Sequence, residues 1–351
     1  IESASFRNGL PHESVLEMDI LTGTGELLTV SPQRYPDLYR AFPNSYGSLG
    51  YSTRLRIELE PIKPFVALRH VRFRALSEMV AAMDRIVDTG GFDGVPVDYL
   101  DGVVFGPEES YLCVGVRITT PGPVSDYTGR GIYYRSIQHH TGIKEDRLTM
   151  HDYFWRWDTD WFWCSSSFGA QHPRVRRWWP RRYRRSSVYW KLVALDQRFG
   201  IADRIEKRSI RSPGRPLRER VVQDIEVPVD RTVDYLEWFL DAVPITPIWL
   251  CPLRLRDQDG WPLYPIRPGH TYVNVGFWSS VPVGATEGAT NRLIEAKVGS
   301  LDGHKSLYSD SYHTREEFDE LYGGETYKTV KKTYDPDSRL LDLYAKAVQR
   351  R

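Results

Sequence analysis

The hexapeptide Pro247-Ile248-Trp249-Leu250-Cys251-Pro252 sets the tightest limit on what this chain can fold into. Four consecutive apolar residues between prolines are too few for a helix. They do not alternate, so they cannot form a half-solvated strand either. The run predicts a short strand buried on both faces, and 271–277 is its expected neighbour. A strand of that kind needs a sheet around it and cover above and below. At 351 residues the chain is long enough for two domains with sizeable cores.

Pro61-Ile62-Lys63-Pro64 divides the chain, because two missing donors cannot continue a hydrogen-bond ladder. Before it, Leu16, Met18 and Ile20 alternate with Glu17 and Asp19, which predicts a half-buried strand. Gly23 and Gly25 allow the turn to Leu27-Leu28-Thr29-Val30, a hairpin. With an alternating strand at 53–60 this gives a small mixed sheet. Between hairpin and strand, an amphipathic turn at 36–42 leads into Pro43-Asn44-Ser45-Tyr46-Gly47-Ser48-Leu49-Gly50-Tyr51. There, two glycines let the backbone turn sharply and bring its N–H groups close to a ligand.

Beyond the boundary, 68–73 reads as a strand, and 76–87 as a helix with Met79, Val80, Met83 and Ile86 on one face. Strands follow at 103–105 and 111–118. The basic segment 208–220 reads as a loop, 223–228 as a strand, and Asp230 as the cap of a helix reaching Val243. Thr314-Arg315-Glu316-Glu317 is a capping box whose helix stops at Gly323-Gly324, and a last helix spans 338–348. The expected class is α+β, with an antiparallel sheet in the larger part.

Lys and Arg number 47 against 46 Asp and Glu, so no global attraction to nucleic acid is implied. Cys113, Cys164 and Cys251 are few and scattered. They form neither a disulfide framework nor a zinc pair, and a reducing, cytoplasmic setting is the expectation. Residues 151–163 hold seven aromatics, a reading as tunnel wall or as domain core. Residues 174–185 hold seven arginines with Trp178, Trp179 and Tyr183. That mixture suits single-stranded nucleic acid, a membrane surface or a solvated loop, and membrane contact is the expectation if the chain acts on a lipid.

Ile1-Glu2-Ser3-Ala4-Ser5-Phe6-Arg7-Asn8-Gly9-Leu10, the 22–25 turn and the Gly47–Gly50 turn together resemble the second half of the flavin-binding domain of the vanillyl-alcohol oxidase/PCMH superfamily. Ile1-Glu2-Ser3, Pro247 to Pro252, Tyr308-Ser309-Asp310-Ser311-Tyr312 and Arg315-Glu316-Glu317-Phe318 sharpen the resemblance to the FAD-dependent delta-24 sterol reductases, the Diminuto group. It covers nearly the whole chain. It implies residues 1–63 as the second half of a PCMH-type FAD-binding domain and 64–330 as an α+β substrate (cap) domain. Residues 331–351, with Tyr334-Asp335-Pro336, form an end that packs back towards the flavin domain. The family's flavin domain has an earlier half with the main pyrophosphate loop. Nothing here corresponds to that half, so the chain reads as amino-terminally truncated.

The resemblance further implies reduction of an isolated C=C bond in a lipid, with FAD as cofactor and NADPH as electron donor. The lipid is a sterol side chain or a methylene or unsaturated fatty acyl chain, and Arg-rich usage leans to the acyl chain. An isolated alkene has no carbonyl to polarise it, so the chemistry needs an acid held close to one carbon on a dry floor. A buried carboxyl or phenol serves, because desolvation favours its protonated form. Asp310 and Tyr312 are the first candidates, Tyr308 and His313 the next. Carried over for the flavin are Ile1, Glu2, Ser3, Ser5, Gly9, Gly47, Ser48 and Gly50, with Cys251 packed beside the ring. The alternatives are an FAD-linked oxidase or dehydrogenase of an alcohol or polyol, and a flavin-less fragment that binds lipid or a partner protein.

Overall fold

The computed structural model describes residues 2–127, 133–138, 144–158, 172–180, 183–199, 218–243, 245–284, 286 and 288–350. Ile1, Cys164, 159–163 of the aromatic stretch, Arg181, Arg182 and all of 208–217 lie outside them. Thirteen strands are described: β1 Val15–Leu21, β2 Leu27–Val30, β3 Tyr51–Ile57, β4 Phe65–Phe73, β5 Gly91–Phe92, β6 Val95–Pro96, β7 Tyr99–Gly106, β8 Glu109–Ile118, β9 Lys144–Thr149, β10 Arg218–Pro228, β11 Ile248–Leu253, β12 Tyr272–Pro282 and β13 His304–Lys305.

Eight of them make one large antiparallel sheet in the order β13-β10-β12-β11-β7-β8-β4-β9. The Pro-flanked apolar run is β11, inside this sheet and paired with β12 as expected. The fold is therefore mixed α and β, dominated by an antiparallel sheet. Period-two alternation gives the sheet two chemically different faces. One face carries Val221, Ile225, Val273, Val275, Ile248 and Leu250. The helices Leu76–Thr89, Thr232–Ala242 and Ala289–Ser300 cover it with Met83, Phe239, Ile294 and their neighbours.

The other face is covered in two places. Over β4, β7 and β8 lies an aromatic cluster of Tyr99, Tyr111, Tyr133, Tyr153 and Trp157. Over the ends of β11 and β12, Leu253 and Tyr272 join a second core with the small sheet and the carboxyl-terminal helices, including Met18, Ile20, Leu38, Phe318 and Tyr327. The polar positions of β10, β11 and β12 lie between these two covers.

Several local expectations are corrected. The small sheet, in the order β2-β1-β3, is wholly antiparallel and not mixed. Leu16 does not share the buried face of Met18 and Ile20. A register shift between Val15 and Glu17 inserts one residue and turns Leu16 outward. Strand β10 begins at Arg218, inside the segment read as a loop. Asp230 does not cap the following helix, which starts at Thr232 after a 3-10 turn and has no side-chain cap. The Thr314–Glu317 capping box is present, with Thr314 N donating to Glu317 Oε2 at 2.8 Å. Gly323-Gly324 ends that helix but at once opens another, Gly324–Tyr334, and the last helix is only Leu343–Ala347.

Candidate functional site

A slot of about 490 Å³ opens between the two covers. Its lining includes Glu2, Ser3 and Ala4, the wall residues Tyr153 and Trp157, and on the sheet Asp224, Trp249 and Trp278. The size falls within the usual range for small-molecule sites. Strand register explains the floor. Asp224 on β10 sits opposite Gly276 on β12, and Gly276 sits opposite Trp249 on β11. A Cβ at Gly276 would overlap Asp224 Oδ1 and press on Trp249 at 3.4 Å and Trp278 at 3.6 Å. Glycine there lets the carboxyl lean over the sheet between two indoles.

Tyr308 reaches the same carboxyl from the carboxyl-terminal side, donating its hydroxyl to Asp224 Oδ2 at 2.8 Å. Asp224 Oδ1 is buried and has no hydrogen-bond partner among the described residues, and the same holds for Trp249 Nε1. Desolvation raises the Asp224 pKa above the ordinary carboxyl value, against the pull of the Tyr308 hydroxyl. Two residues on, Glu226 lies on the same sheet face, fully buried. Desolvation, and then the Asp224 charge, push it up to about 8. Asn274 Nδ2 donates to Glu226 Oε1 at 3.0 Å, and His304 Nε2 lies 3.4 Å from Oε2. Burial holds His304 down to about 3, so this is a contact between neutral groups and not an ion pair.

The amino-terminal segment is laid across the sheet by specific bonds. Cys251 Sγ donates to the Glu2 carbonyl at 3.0 Å, and Leu100 N to the Ser3 carbonyl at 2.7 Å. Ser3 Oγ donates to Asp101 Oδ2 at 2.7 Å and accepts from Arg156 Nη2 at 3.0 Å. Arg156 in turn pairs with Asp101 at 2.6 Å, both buried, and stacks over Tyr153 at 4.1 Å. Burial pushes the Cys251 thiol well up, so it is a packed, protonated thiol and not a nucleophile.

The other residues singled out from the sequence are dispersed. Ser5 Oγ accepts Glu2 N at 3.0 Å, closing a local turn. Gly9 has a φ of 72°, and a Cβ there would overlap the Glu13 carboxylate, which accepts Leu10 N at 2.8 Å. Ser48 is buried and donates back to Ser45 O at 2.7 Å. Beside Gly47 lie Tyr51 and Lys346, and a Cβ at Gly50 would sit 2.5 Å from the Leu21 carbonyl. Lys331 and Lys346 hold the carbonyls of this turn: Lys331 Nζ donates to Ser48 O at 2.7 Å and Lys346 Nζ to Gly47 O at 3.1 Å. Tyr46 links the turn to the slot region. Its hydroxyl end reaches the Leu307 and Tyr308 backbone and is pushed up to about 12, first by desolvation and then by Glu226, although the residue as a whole is 43% exposed.

Asp310, Tyr312, Tyr308 and His313 do not converge. The Asp310 carboxyl pairs with Arg350. Tyr312 N donates to Glu295 Oε1 at 3.0 Å, and His313 lies 4.0 Å from the same carboxyl, which also binds Lys305 Nζ at 2.9 Å. Tyr312 and His313 line a different cleft, with Arg292 and Glu295. Tyr308 is the one whose bond to a residue of the slot floor the described residues show. Asp224, Glu226 and the Arg156–Asp101 pair were not singled out from the sequence. A signal for the first two was present: acids two apart on a strand share a face, opposite the Val221/Ile225/Val227 stripe.

No protein-family model matches the chain. Among curated proteins it is similar to the Delta(24)-sterol reductases of Mus musculus and Homo sapiens, each 25% identical over 366 residues, 99% of this chain and 65% of the relative. It is also similar to Cytokinin dehydrogenase 2 of Oryza sativa subsp. japonica, 36% identical over 110 residues, 30% of this chain and 19% of that protein. The chain thus spans about two thirds of the length of the sterol reductases it matches, 65%. The alignment runs through β11, the slot and the carboxyl-terminal helices alike, so the chain is similar to the Delta(24)-sterol reductases over nearly its whole length.

Proposed function

We propose that this chain forms the substrate side of an FAD-dependent reductase of an isolated C=C bond in a lipid, a sterol side chain or an unsaturated or methylene-bearing acyl chain. The observation that carries the reading is the Asp224–Tyr308 pair at 2.8 Å, leaning over Gly276 between Trp249 and Trp278. On this reading the three-stranded sheet and its glycine turn are the second half of the flavin-binding domain. The residues present suit a flat heteroaromatic ring. Trp249 and Trp278 offer faces, Trp249 Nε1 is an unpaired buried donor, and the Glu2–Ala4 backbone and Cys251 give a close-packed edge. When bound, FAD recharged by NADPH supplies hydride to the carbon left electron-poor after protonation.

The chain's own residues handle the proton. Tyr308 donates to Oδ2, which leaves Oδ1, the oxygen over Gly276, as the atom on which Asp224 would carry a proton. Desolvation favours that protonated form by raising the Asp224 pKa above the ordinary carboxyl value, and the neighbouring Glu226 is itself pushed up to about 8. Tyr153, Trp157, Trp249 and Trp278 keep water from the reacting carbons. The test is anaerobic: add NADPH to flavin-loaded protein, follow flavin bleaching, then add lipid alkenes. Colour returning with a sterol or acyl alkene supports the proposal, and no return with either class removes it. The similarity to a cytokinin dehydrogenase favours one other reading, a dehydrogenase, which the same flavin would report by bleaching with substrate before any NADPH is added.

A further inference from the structure

Large apolar side chains stand in solvent between residues 154 and 199. Trp178 is 82% exposed and Trp190 66%, and Phe154, Trp155, Leu195 and Phe199 are exposed with them. On the helix Ser186–Phe199 the exposed positions among the described side chains, 187, 190, 191, 194, 195, 198 and 199, follow helical spacing, so they form one stripe. It sets Trp190 and Leu195 beside Lys191 and Arg198, whereas a stripe that only faced water would be polar throughout. Arg174, Arg177, Arg184 and Arg185 crowd the preceding segment, and residues 172–185 contain no Asp or Glu. Ser186 N and Oγ both donate to Asp158 Oδ1, at 3.0 and 2.6 Å. Asp158 directly follows Trp157, a wall of the slot, so the helix is hooked to that wall.

We propose that this surface seats the protein on an anionic lipid bilayer. Trp178 and Trp190 lie at headgroup level, and the acid-free arginine cluster pairs with negative headgroups. The inference rests on the lipid-substrate reading in one respect: the hook at Asp158 places the slot wall beside the bilayer, so a lipid can enter without crossing water. Single-stranded nucleic acid fits less well, because Leu195 on the stripe offers no face on which a base can stack.

The test uses this chain and sedimentation with vesicles of phosphatidylcholine alone, or mixed with phosphatidylserine at roughly three to one. Binding to the mixed vesicles, weakened by salt and about fivefold weaker for each arginine removed, is expected. Arg174→Gln/Arg177→Gln should thus lose roughly 25-fold. Trp178→Ala/Trp190→Ala should lose about tenfold or more, with an unchanged circular dichroism spectrum. Equal binding by both variants, no binding to mixed vesicles, or tighter binding to single-stranded RNA than to vesicles would each overturn the proposal. No turnover is read, so its failure leaves the reductase reading standing. Failure of the reductase test leaves the vesicle result standing.

Discussion

At the scale of single residues, the floor of the slot has a pH signature. Folded, Glu226 keeps its proton up to about 8, and unfolded it releases it near its ordinary 4.5. Between those values the folded chain binds more protons, so Glu226 makes stability fall as pH rises, by up to roughly 1.4 kcal/mol per unit. His304 and His12, both held down to about 3 by burial, act with the opposite sign, but only below their ordinary 6.5. The window from 6.5 to 8 therefore lies above the histidine contributions and within that of Glu226. Urea unfolding across that window should show stability dropping for the native chain and nearly level for Glu226→Gln; equal slopes would refute the assignment. Tyr308 was legible in the sequence because it sits in a motif. Asp224 and Glu226 were not, because an alternating strand carries polar residues on one face as a rule, and only the three-dimensional covers turn that face inward.

At the scale of elements, the Arg156–Asp101 pair ties the aromatic stretch, the amino-terminal segment and β7 together through Ser3. Removing one partner of a buried pair leaves the other charge uncompensated, at a cost of about 3–5 kcal/mol. Arg156→Leu should lose that much in urea unfolding, and Arg156→Leu/Asp101→Leu should recover part of it. A loss below about 1 kcal/mol for the single variant would mean the pair holds nothing. Elements with strong periodicity were readable, including Leu76–Thr89, the β1–β2 hairpin and β11. The helix Gly324–Tyr334 was hidden because Gly323 caps it and Gly324 opens it, and two successive glycines read as a stop. The divergence of Asp310, Tyr312 and His313 from Tyr308 was hidden too. A short irregular segment does not say which side each residue faces, and here Glu295 and Arg350 draw three of the four away from the slot.

At the scale of the whole molecule, one antiparallel sheet separates two environments: helices pack on its apolar face, and its polar face lies open between two covers. Three segments singled out by family resemblance, the amino-terminal segment, β11 and the Tyr308 loop, meet at the slot, and they were readable because they are contiguous motifs. The resemblance could not supply Asp224, whose place in the slot depends on the register of β10 with β12 across about fifty residues of chain. The account turns on that carboxyl as the acid for the alkene. The most direct measurement is the anaerobic rate at which a lipid alkene reoxidises reduced flavin in the loaded protein, compared for the native chain, Asp224→Asn and Asp310→Asn. The account predicts a loss of roughly 100-fold or more for Asp224→Asn with flavin still bound, and a rate within about threefold of native for Asp310→Asn. Retained activity in Asp224→Asn, with loss in Asp310→Asn, would contradict it.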